Sequence, residues 1–269
     1  MKKLHSQLST QNFLLKIGWL YPQLMSTYGD RGNIIVFQKR CAWRGIKTEI
    51  IDIDQTTPNA QLSSINLLFG GGAQDREQEI VMEDLQKKKQ AIKYLIDNNV
   101  PALFVCGAPQ LMGNYYEPAE GKRIEGLGIF DMYAKHPGPK QDRLIGNVAA
   151  KIETQNLSHT PMLTGNPYLI GFENHGGRTY LGKNAKPFAK VLNGFGNNGE
   201  DKTEGAVYKN AIGSYLHGPL LPKNPLLADW LITQALEVKY KKKITLEPLD
   251  DTLEKQAQEA LLKRLNISF

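Results

Sequence analysis

Cysteine is scarce in this sequence, with only Cys41 and Cys106 among 269 residues. Two cysteines in a chain of this size, without a secretory segment, favour free thiols in a reducing compartment over a disulfide framework. Long apolar runs are lacking too: the stretch from Phe13 to Leu20 contains Lys16 and is too short for a signal peptide or a membrane span. We therefore expect a cytoplasmic protein.

A strong excess of one charge is also absent. The formal net charge is +6, and the lysines concentrate in two runs, at 87–89 and 239–243. Both runs fall on predicted helices or helix ends, where a solvated face is the ordinary explanation. Because no nucleic-acid-binding module accompanies them, we expect no nucleic-acid partner. We predict no metal site either.

A phosphate-binding loop of the form Gly-x4-Gly-Lys-[Ser/Thr] occurs nowhere in the sequence. The glycine cluster at 70–72 is followed by Ala73, Gln74 and Asp75, without the lysine that phosphate binding would use. We therefore predict that this chain carries no cofactor of its own.

What the sequence does contain is enough apolar surface for a full core, with 41% hydrophobic residues. Short apolar runs alternate with amphipathic ones, which predicts an α/β fold with a mostly parallel central sheet flanked by helices. Asp30 is a candidate helix N-cap and Gly45 a helix stop. We predict one domain over 13–222 and a C-terminal helical extension over 223–269 packed on it. The predicted strands cover 14–20, 47–53, 65–69, 100–105, 144–153, 168–172 and 211–216, and the predicted helices 31–44, 75–99, 226–240 and 252–265.

Cys106 lies between a predicted buried strand and a predicted helix. A sharp strand-to-helix turn holds such a side chain above the sheet edge, and the small neighbours Gly107 and Ala108 relieve crowding. The N-terminus of the helix is expected to lower the pKa of the thiol, and Pro109 suits the first helical turn. The alternative is a small buried residue, the role that we assign to Cys41.

A thiol nucleophile needs a base, and the sequence contains five histidines. His5 lies in the N-terminal tail, and His136 and His159 lie in loop sequences that suggest surface positions. His175 and His217 each follow an apolar strand directly. Spacing alone does not decide between these two.

Several segments together resemble the class I glutamine amidotransferases of the cobyric acid synthase-like branch. Within this branch, Gly171 to Thr179 and Tyr215 to Pro222 are most similar to the glutaminase subunits of enzymes that amidate lipid II. The similarity extends from about residue 14 to 265. The segments that carry it are Val105 to Gly107, Gln110 to Gly113, Gly171 to Glu173 with His175, and Gly213 to Gly218.

The resemblance implies that Cys106 is the nucleophile and His217 the base, with a γ-glutamyl thioester that water resolves. It also implies that the backbone N–H groups of Gly71 and Gly107 form an oxyanion hole. Arg143 matches a position that grips the glutamine carboxylate, a task that suits a guanidinium group. A solvated surface arginine is the alternative for Arg143.

One departure concerns the residue two positions after the histidine, which is often a glutamate in class I amidotransferases. This chain has Pro219 there. The cobyric acid branch shares this departure, so a Cys-His pair remains the implied machinery. The sequence leaves the group that orients His217 open, and a partner subunit could supply it.

The resemblance also implies a division of labour. Amidation of a carboxylate requires activation by ATP, so we expect ATP and Mg²⁺ on a Mur ligase-like synthetase partner. The implied substrates are L-glutamine here and, on the partner, the α-carboxylate of D-glutamate in lipid II at the inner face of the membrane. The alternatives are an amidotransferase for corrinoid carboxylates, a γ-glutamyl or peptide hydrolase, and an inactive binding subunit.

Overall fold

The structure is a computed structural model that describes residues 13–158, 163 and 165–268. The predictions for His5 and His159 therefore lie outside the described residues. The strands are β1 Leu14–Leu20, β2 Lys47–Ile53, β3 Leu67–Gly70, β4 Ala102–Val105, β5 Tyr115–Glu117, β6 Ile124–Glu125, β7 Met132–Lys135, β8 Leu144–Ile152, β9 Tyr168–His175, β10 Arg178–Leu181, β11 Ala189–Asn193, β12 Thr203–Glu204, β13 Ala206–Tyr208 and β14 Ala211–Ser214. The helices are α1 Arg31–Ala42, α2 Asn59–Leu62, α3 Asp75–Asp97, α4 Gly107–Met112, α5 Pro225–Tyr240 and α6 Thr252–Arg264.

A six-stranded sheet forms the centre, in the order β13-β14-β4-β3-β1-β2. All neighbouring pairs are parallel except the edge pair β13 and β14. Because β3, β4 and β14 are buried along their whole length, their sequences are continuous apolar runs and not alternating ones. The carboxyl ends of β1, β3, β4 and β14 lie at one edge of this sheet. This confirms the predicted α/β fold with a mostly parallel central sheet.

Alternate residues of the central strands face two separate apolar cores. Leu103 and Val105 of β4 belong to the core that contains α1 and α5, whereas Ala102 and Phe104 belong to the core that contains α3 and α4. Helices therefore cover both faces of the sheet, as the fold prediction requires.

Two smaller sheets extend from this layer, and they complete the walls of the site described below. One has the order β10-β7-β5-β6 and the other β12-β11-β8-β9. The longest pairing joins β8 to β9 in antiparallel register from Leu144 opposite His175 to Lys151 opposite Tyr168. The sequence predicts β8 well, but it ends β9 too early, at residue 172, so His175 belongs to the strand itself.

Two predictions about polar residues are wrong in detail. Asp30 does not cap α1 through its side chain, because its backbone is helical and its carboxylate is used elsewhere. The lysine run at 87–89 is not uniformly solvated, because Lys88 is buried and pairs with Asp84 one turn earlier at 2.5 Å. Gly45 does end the segment after α1, with φ of +70°.

The C-terminal segment begins with α5, most of whose residues are buried, Trp230 completely. Arg40 of α1 forms ion pairs with Asp229 of α5 and with Asp251, which precedes α6. These contacts tie both C-terminal helices to α1. The proposed domain boundary after residue 222 stays a prediction. In the described part of the chain, no helix has the length and apolarity needed to span a bilayer.

Candidate active site

Cys106 forms a sharp turn between β4 and α4. Its backbone has φ of 57° and ψ of −103°, a conformation that costs free energy for a residue with a side chain. The Cys106 N–H donates to the Ser214 carbonyl at 2.8 Å, which fixes the turn to β14. This strand-to-helix turn presents the sulfur at the carboxyl edge of the central sheet.

The thiol of Cys106 has a raised pKa of about 12, because of burial and of the nearby Asp30 carboxyl group. Arg143 and the Gly107 N–H act in the opposite direction without outweighing burial. The sequence predicts a lowered pKa from the helix N-terminus, and the structure differs because the thiol is almost completely enclosed. At neutral pH the resting thiol is protonated, so attack requires a base.

Asp30 lies beneath the glycine loop that faces Cys106. Its Oδ2 accepts a hydrogen bond from the Gly72 N–H at 2.7 Å, and Oδ1 has no hydrogen-bond partner among the described residues. Burial raises the pKa of Asp30 to about 7, although the Gly72 N–H lowers it. A Cβ on Gly72 would lie 3.3 Å from Asp30 Oδ2 and 3.4 Å from Cys106 Sγ. Asp30 therefore sets the position of this loop against the sulfur.

A cavity of about 440 Å³ opens onto Cys106. Its walls are the loop before α1, the start of α3, the first turn of α4 and the turn from β9 to β10. The volume lies within the range of small-molecule sites. Four segments remote in sequence thus meet at the carboxyl edge of the sheet, where ligands of open α/β folds bind.

Arg143 lines this cavity and is held in place by one residue. Its Nε donates to Asn174 Oδ1 at 2.7 Å, and Nη2 donates to the Asn174 carbonyl at 2.8 Å. Nη1 lies at the cavity wall beside Gly176. Arg143 forms no ion pair with the carboxylates of the described residues. Its charge is thus available to an anionic ligand.

His175 also lines the cavity, but its ring is committed to the protein. Its Nδ1–H donates to the Gly177 carbonyl at 2.7 Å, and Nε2 lies 3.6 Å from Glu173 Oε2. The ring stacks on Tyr215 with centroids 3.7 Å apart. One nitrogen is thus hydrogen-bonded to the protein, whereas Nε2 has no hydrogen-bond partner among the described residues.

His217 follows β14 and lies behind Tyr28, a residue of the cavity wall. The two rings stack with centroids 4.6 Å apart, and the His217 N–H donates to the Phe172 carbonyl at 2.9 Å. Neither ring nitrogen has a hydrogen-bond partner among the described residues. Burial and the neighbouring His175 lower the pKa of His217 to about 4, although the backbone of Asn174 acts to raise it. The imidazole is therefore neutral and uncommitted at physiological pH, as a base must be.

The two residues predicted to form an oxyanion hole occupy different positions. Gly107 lines the cavity, and its N–H lies against the Cys106 sulfur. Gly71 lies deeper, against the Met25 carbonyl and Asp30. Ala73 lines the cavity, and its N lies 2.9 Å from the position that a Cβ on Gly107 would take. The oxyanion role of Gly71 and Gly107 stays a prediction.

His136 was expected at the surface, and the structure places it in the cavity wall instead. Its Nδ1 accepts a hydrogen bond from the Gly138 N–H at 3.1 Å.

The described residues contain no group of three or more His, Cys, Asp or Glu side chains arranged to hold a metal ion.

Sequence reasoning missed Tyr28, Asp30 and Asp75 as residues of this region. The available signal was topological: the first two follow β1 and the third follows β3, so all three lie beyond the carboxyl ends of parallel strands.

Comparison with known proteins places these features in a family context. The model of the CobB/CobQ-like glutamine amidotransferase domain matches residues 16–225. The chain is 40% identical over 247 residues to the GatD subunit of lipid II isoglutaminyl synthase (glutamine-hydrolyzing) from Streptococcus pneumoniae, which covers 92% of this chain and 90% of that protein. The corresponding subunit from Staphylococcus aureus is 38% identical over 244 residues, covering 90% of this chain and 92% of that protein.

Among solved structures, the chain is similar to one in the structure of PurLQS from Thermotoga maritima. The TM-score is 0.56 at 12% sequence identity, over 85% of this chain and 99% of that chain. At this identity the likeness concerns the fold alone.

Proposed function

The chain belongs to the family of CobB/CobQ-like glutamine amidotransferases, and from this premise we propose that it is the glutaminase subunit of a two-subunit enzyme that amidates lipid II. The observation that carries the proposal is the 38–40% identity to two GatD subunits over about nine-tenths of each chain. These relatives are subunits by name, so a partner subunit is part of the proposal.

In the proposed reaction, the Cys106 sulfur attacks the side-chain amide carbon of glutamine and His217 takes the thiol proton. The proton then passes to the leaving nitrogen and the carbon–nitrogen bond breaks. Ammonia departs, and a γ-glutamyl thioester remains on Cys106. Water, deprotonated by His217, attacks the thioester and releases glutamate and the thiol. In the resting site the thiol carries its proton and the imidazole is neutral. Because the pKa values favour this neutral pair over a thiolate and an imidazolium, we propose that the proton moves as the sulfur attacks.

The Tyr28 ring lies against the imidazole that is proposed to take the thiol proton. It stacks on the His217 ring in the present conformation, and the Asn174 side-chain amide donates to its hydroxyl at 3.2 Å. The Tyr28 ring therefore covers one face of the imidazole in this conformation. Because Asn174 also holds Arg143, the residue proposed to bind substrate and the residue that covers the base share one neighbour.

Ammonia release by this chain does not need ATP, whereas forming an amide from a carboxylate does. We therefore assign ATP and Mg²⁺ to a Mur ligase-like synthetase partner, and the α-carboxylate of D-glutamate in lipid II to the same partner. The missing phosphate-binding glycine loop supports this division.

Reconstitution tests the proposed division directly. The chain should be purified with its bound partner, the partner identified by mass spectrometry, and amidation of lipid II followed with glutamine and ATP. We expect amidated product only when both subunits and both small molecules are present. Amidation by this chain with ATP alone, or amidation of a corrinoid carboxylate but not of lipid II, would contradict the proposal.

Arg143→Ala should raise KM for glutamine roughly 10- to 100-fold with little change in kcat. A hydrogen-bonded charge pair contributes about 1.5–3 kcal/mol, and a carboxylate clamp binds ground and transition states alike. Steady-state ammonia release measures both constants. Arg123→Ala is the matched control, because Arg123 is exposed outside the cavity. An unchanged KM in Arg143→Ala would return this residue to the role of a surface arginine.

A further inference from the structure

Asp75 is a cavity residue without a role in the proposed reaction. It is the first residue of α3, and it lines the same cavity as Cys106 and Arg143. The Tyr116 hydroxyl donates to its Oδ1 at 3.0 Å, which fixes the direction of the carboxylate. Among the described residues that line the cavity, Asp75 is the only carboxylate. It forms no ion pair within the described part of the chain.

The charges of Asp75 and Arg143 act on the same two side chains from the cavity. Burial lowers the pKa of His136 and raises that of Tyr116. On both groups Asp75 acts to raise the pKa and Arg143 acts to lower it. The cavity wall thus carries one carboxylate, Asp75, and two guanidinium groups, Arg143 and Arg76. Neither Asp75 nor Arg143 forms an ion pair within the described residues.

This pattern of charges matches one end of a free α-amino acid. Glutamine carries an ammonium and a carboxylate on one carbon, and two methylene groups separate that carbon from the side-chain amide carbon. With the amide at Cys106 and the carboxylate at Arg143, the ammonium requires an acceptor, because a charged group removed from water without one is strongly disfavoured. Two neutral acceptors nearby are engaged, because Gln110 Oε1 accepts from Gln78 and the Gly177 carbonyl accepts from His175. Gln78 Oε1 has no hydrogen-bond partner among the described residues, but it carries no charge, whereas the Asp75 carboxylate offers the ammonium an opposite charge.

We propose that the Asp75 carboxylate binds the α-ammonium group of glutamine and so restricts the site to free α-amino acids. This inference rests on the proposed glutaminase function and deepens it. A glutamine residue inside a peptide has no free ammonium, and a simple carboxamide has neither charge. Asp75 and Arg143 together would thus let the site select free glutamine over other molecules that contain an amide.

A purely structural role for Asp75 makes a different prediction. An acidic residue in the first turn of a helix stabilises that helix through its dipole, by roughly 0.3–1 kcal/mol. Loss of this contribution would lower thermal stability and affect all substrates equally. The two roles are distinguished by a substrate that lacks only the ammonium group, which is glutaramate (5-amino-5-oxopentanoate).

The test compares Asp75→Asn with the wild-type chain, each purified with its partner, using glutamine and glutaramate. For glutamine we expect Asp75→Asn to raise KM roughly 10- to 100-fold with kcat near the wild-type value. For glutaramate, kcat/KM should be low in the wild type and should not fall further in the variant. Glu79→Gln, one turn later on α3 and outside the cavity, should match the wild type with both substrates.

An unchanged KM for glutamine in Asp75→Asn, or an equal loss with both substrates, would overturn the inference. Should Asp75→Asn fail to fold, Tyr116→Phe keeps the test available, because it removes only the hydroxyl that orients Asp75. That variant should raise KM for glutamine by a smaller factor and leave glutaramate unaffected, and an equal effect on both would count against the inference. If the wild-type complex releases no ammonia from glutamine, the proposed function itself fails, which is a separate result.

Discussion

Replacing Cys106 with alanine is expected to lower glutaminase turnover at least about 10³-fold, because it removes the sulfur that we propose forms the thioester. The fold should persist, since alanine keeps the Cβ and the side chain loses a single buried atom. Ammonia release from glutamine measures the first effect, and circular dichroism with thermal melting checks the second. Cys106→Ser is a second variant that keeps the size of the side chain and exchanges the nucleophilic atom.

Cys41→Ala is the matched control, because Cys41 is the other cysteine and is completely buried in α1. Burial raises the pKa of its thiol to about 12, and the side chain lies in the apolar core away from the cavity. We expect a loss of stability on the order of 1 kcal/mol and unchanged ammonia release. Near-normal release by Cys106→Ala would disprove its assignment as nucleophile.

The same variant separates ammonia production from ammonia use. In the complex with the partner, Cys106→Ala should lose amidation driven by glutamine and retain amidation driven by ammonium chloride at alkaline pH, where more free ammonia is present. In the proposed division between the subunits, the partner activates the acceptor without this thiol. Loss of both activities in an assembled complex would mean that Cys106 acts on the acceptor side.

Most of the central sheet could be predicted from the sequence because its inner strands β3, β4 and β14 are short and buried on both faces, whereas the edge strand β2 alternates in exposure. β1 and β2 have the predicted bounds, Leu14–Leu20 and Lys47–Ile53. β3 and β4 differ from their predicted bounds by one or two residues at an end. Such runs carry their own signal, because burial on both faces demands apolar side chains at every position.

The sheet β10-β7-β5-β6 escaped prediction because its strands have at most four residues and lie in sequence rich in Gly and Pro. Its stability comes from pairings between distant segments, for example Tyr133 with Tyr180, whose rings stack with centroids 5.3 Å apart. Short-range patterns do not contain this information. The position of His136 in the cavity wall follows from this sheet and was missed for the same reason.

The position of Asp30 depends on a contact between segments 42 residues apart, its bond to Gly72. In a sequence, an aspartate directly before a helix indicates an N-cap, because aspartate is favoured at that position. Lys88 was misplaced in a similar way, because a lysine run usually indicates solvent and the buried partner Asp84 was not recognised. In both cases tertiary contacts override a local preference.

The second large effect is the loss of turnover expected when the proposed base, His217 and not His175, is replaced. Spacing alone leaves His175 and His217 equivalent, the family resemblance implies His217, and the two rings have different surroundings in the structure. His175 Nδ1–H donates to the Gly177 carbonyl, and its Nε2, which has no hydrogen-bond partner among the described residues, lies 3.6 Å from Glu173 Oε2. Neither ring nitrogen of His217 has a hydrogen-bond partner among these residues. A base must have a free nitrogen, and a positioned base contributes about 10²- to 10⁴-fold.

We therefore expect His217→Ala to lower kcat for glutamine by about 10²-fold or more per folded molecule. His175→Ala should cause a smaller loss of kcat per folded molecule. Both variants should lower the melting temperature, because each removes a buried ring from a stack, on Tyr28 for His217 and on Tyr215 for His175. Ammonia release and thermal melting on both variants, each in complex with the partner, provide the comparison. Amidation driven by ammonium should survive in both, since neither ring acts on the partner's substrate. A larger loss of kcat in His175→Ala than in His217→Ala would show that His175 is the base and that His217, which stacks on Tyr28, has a structural role.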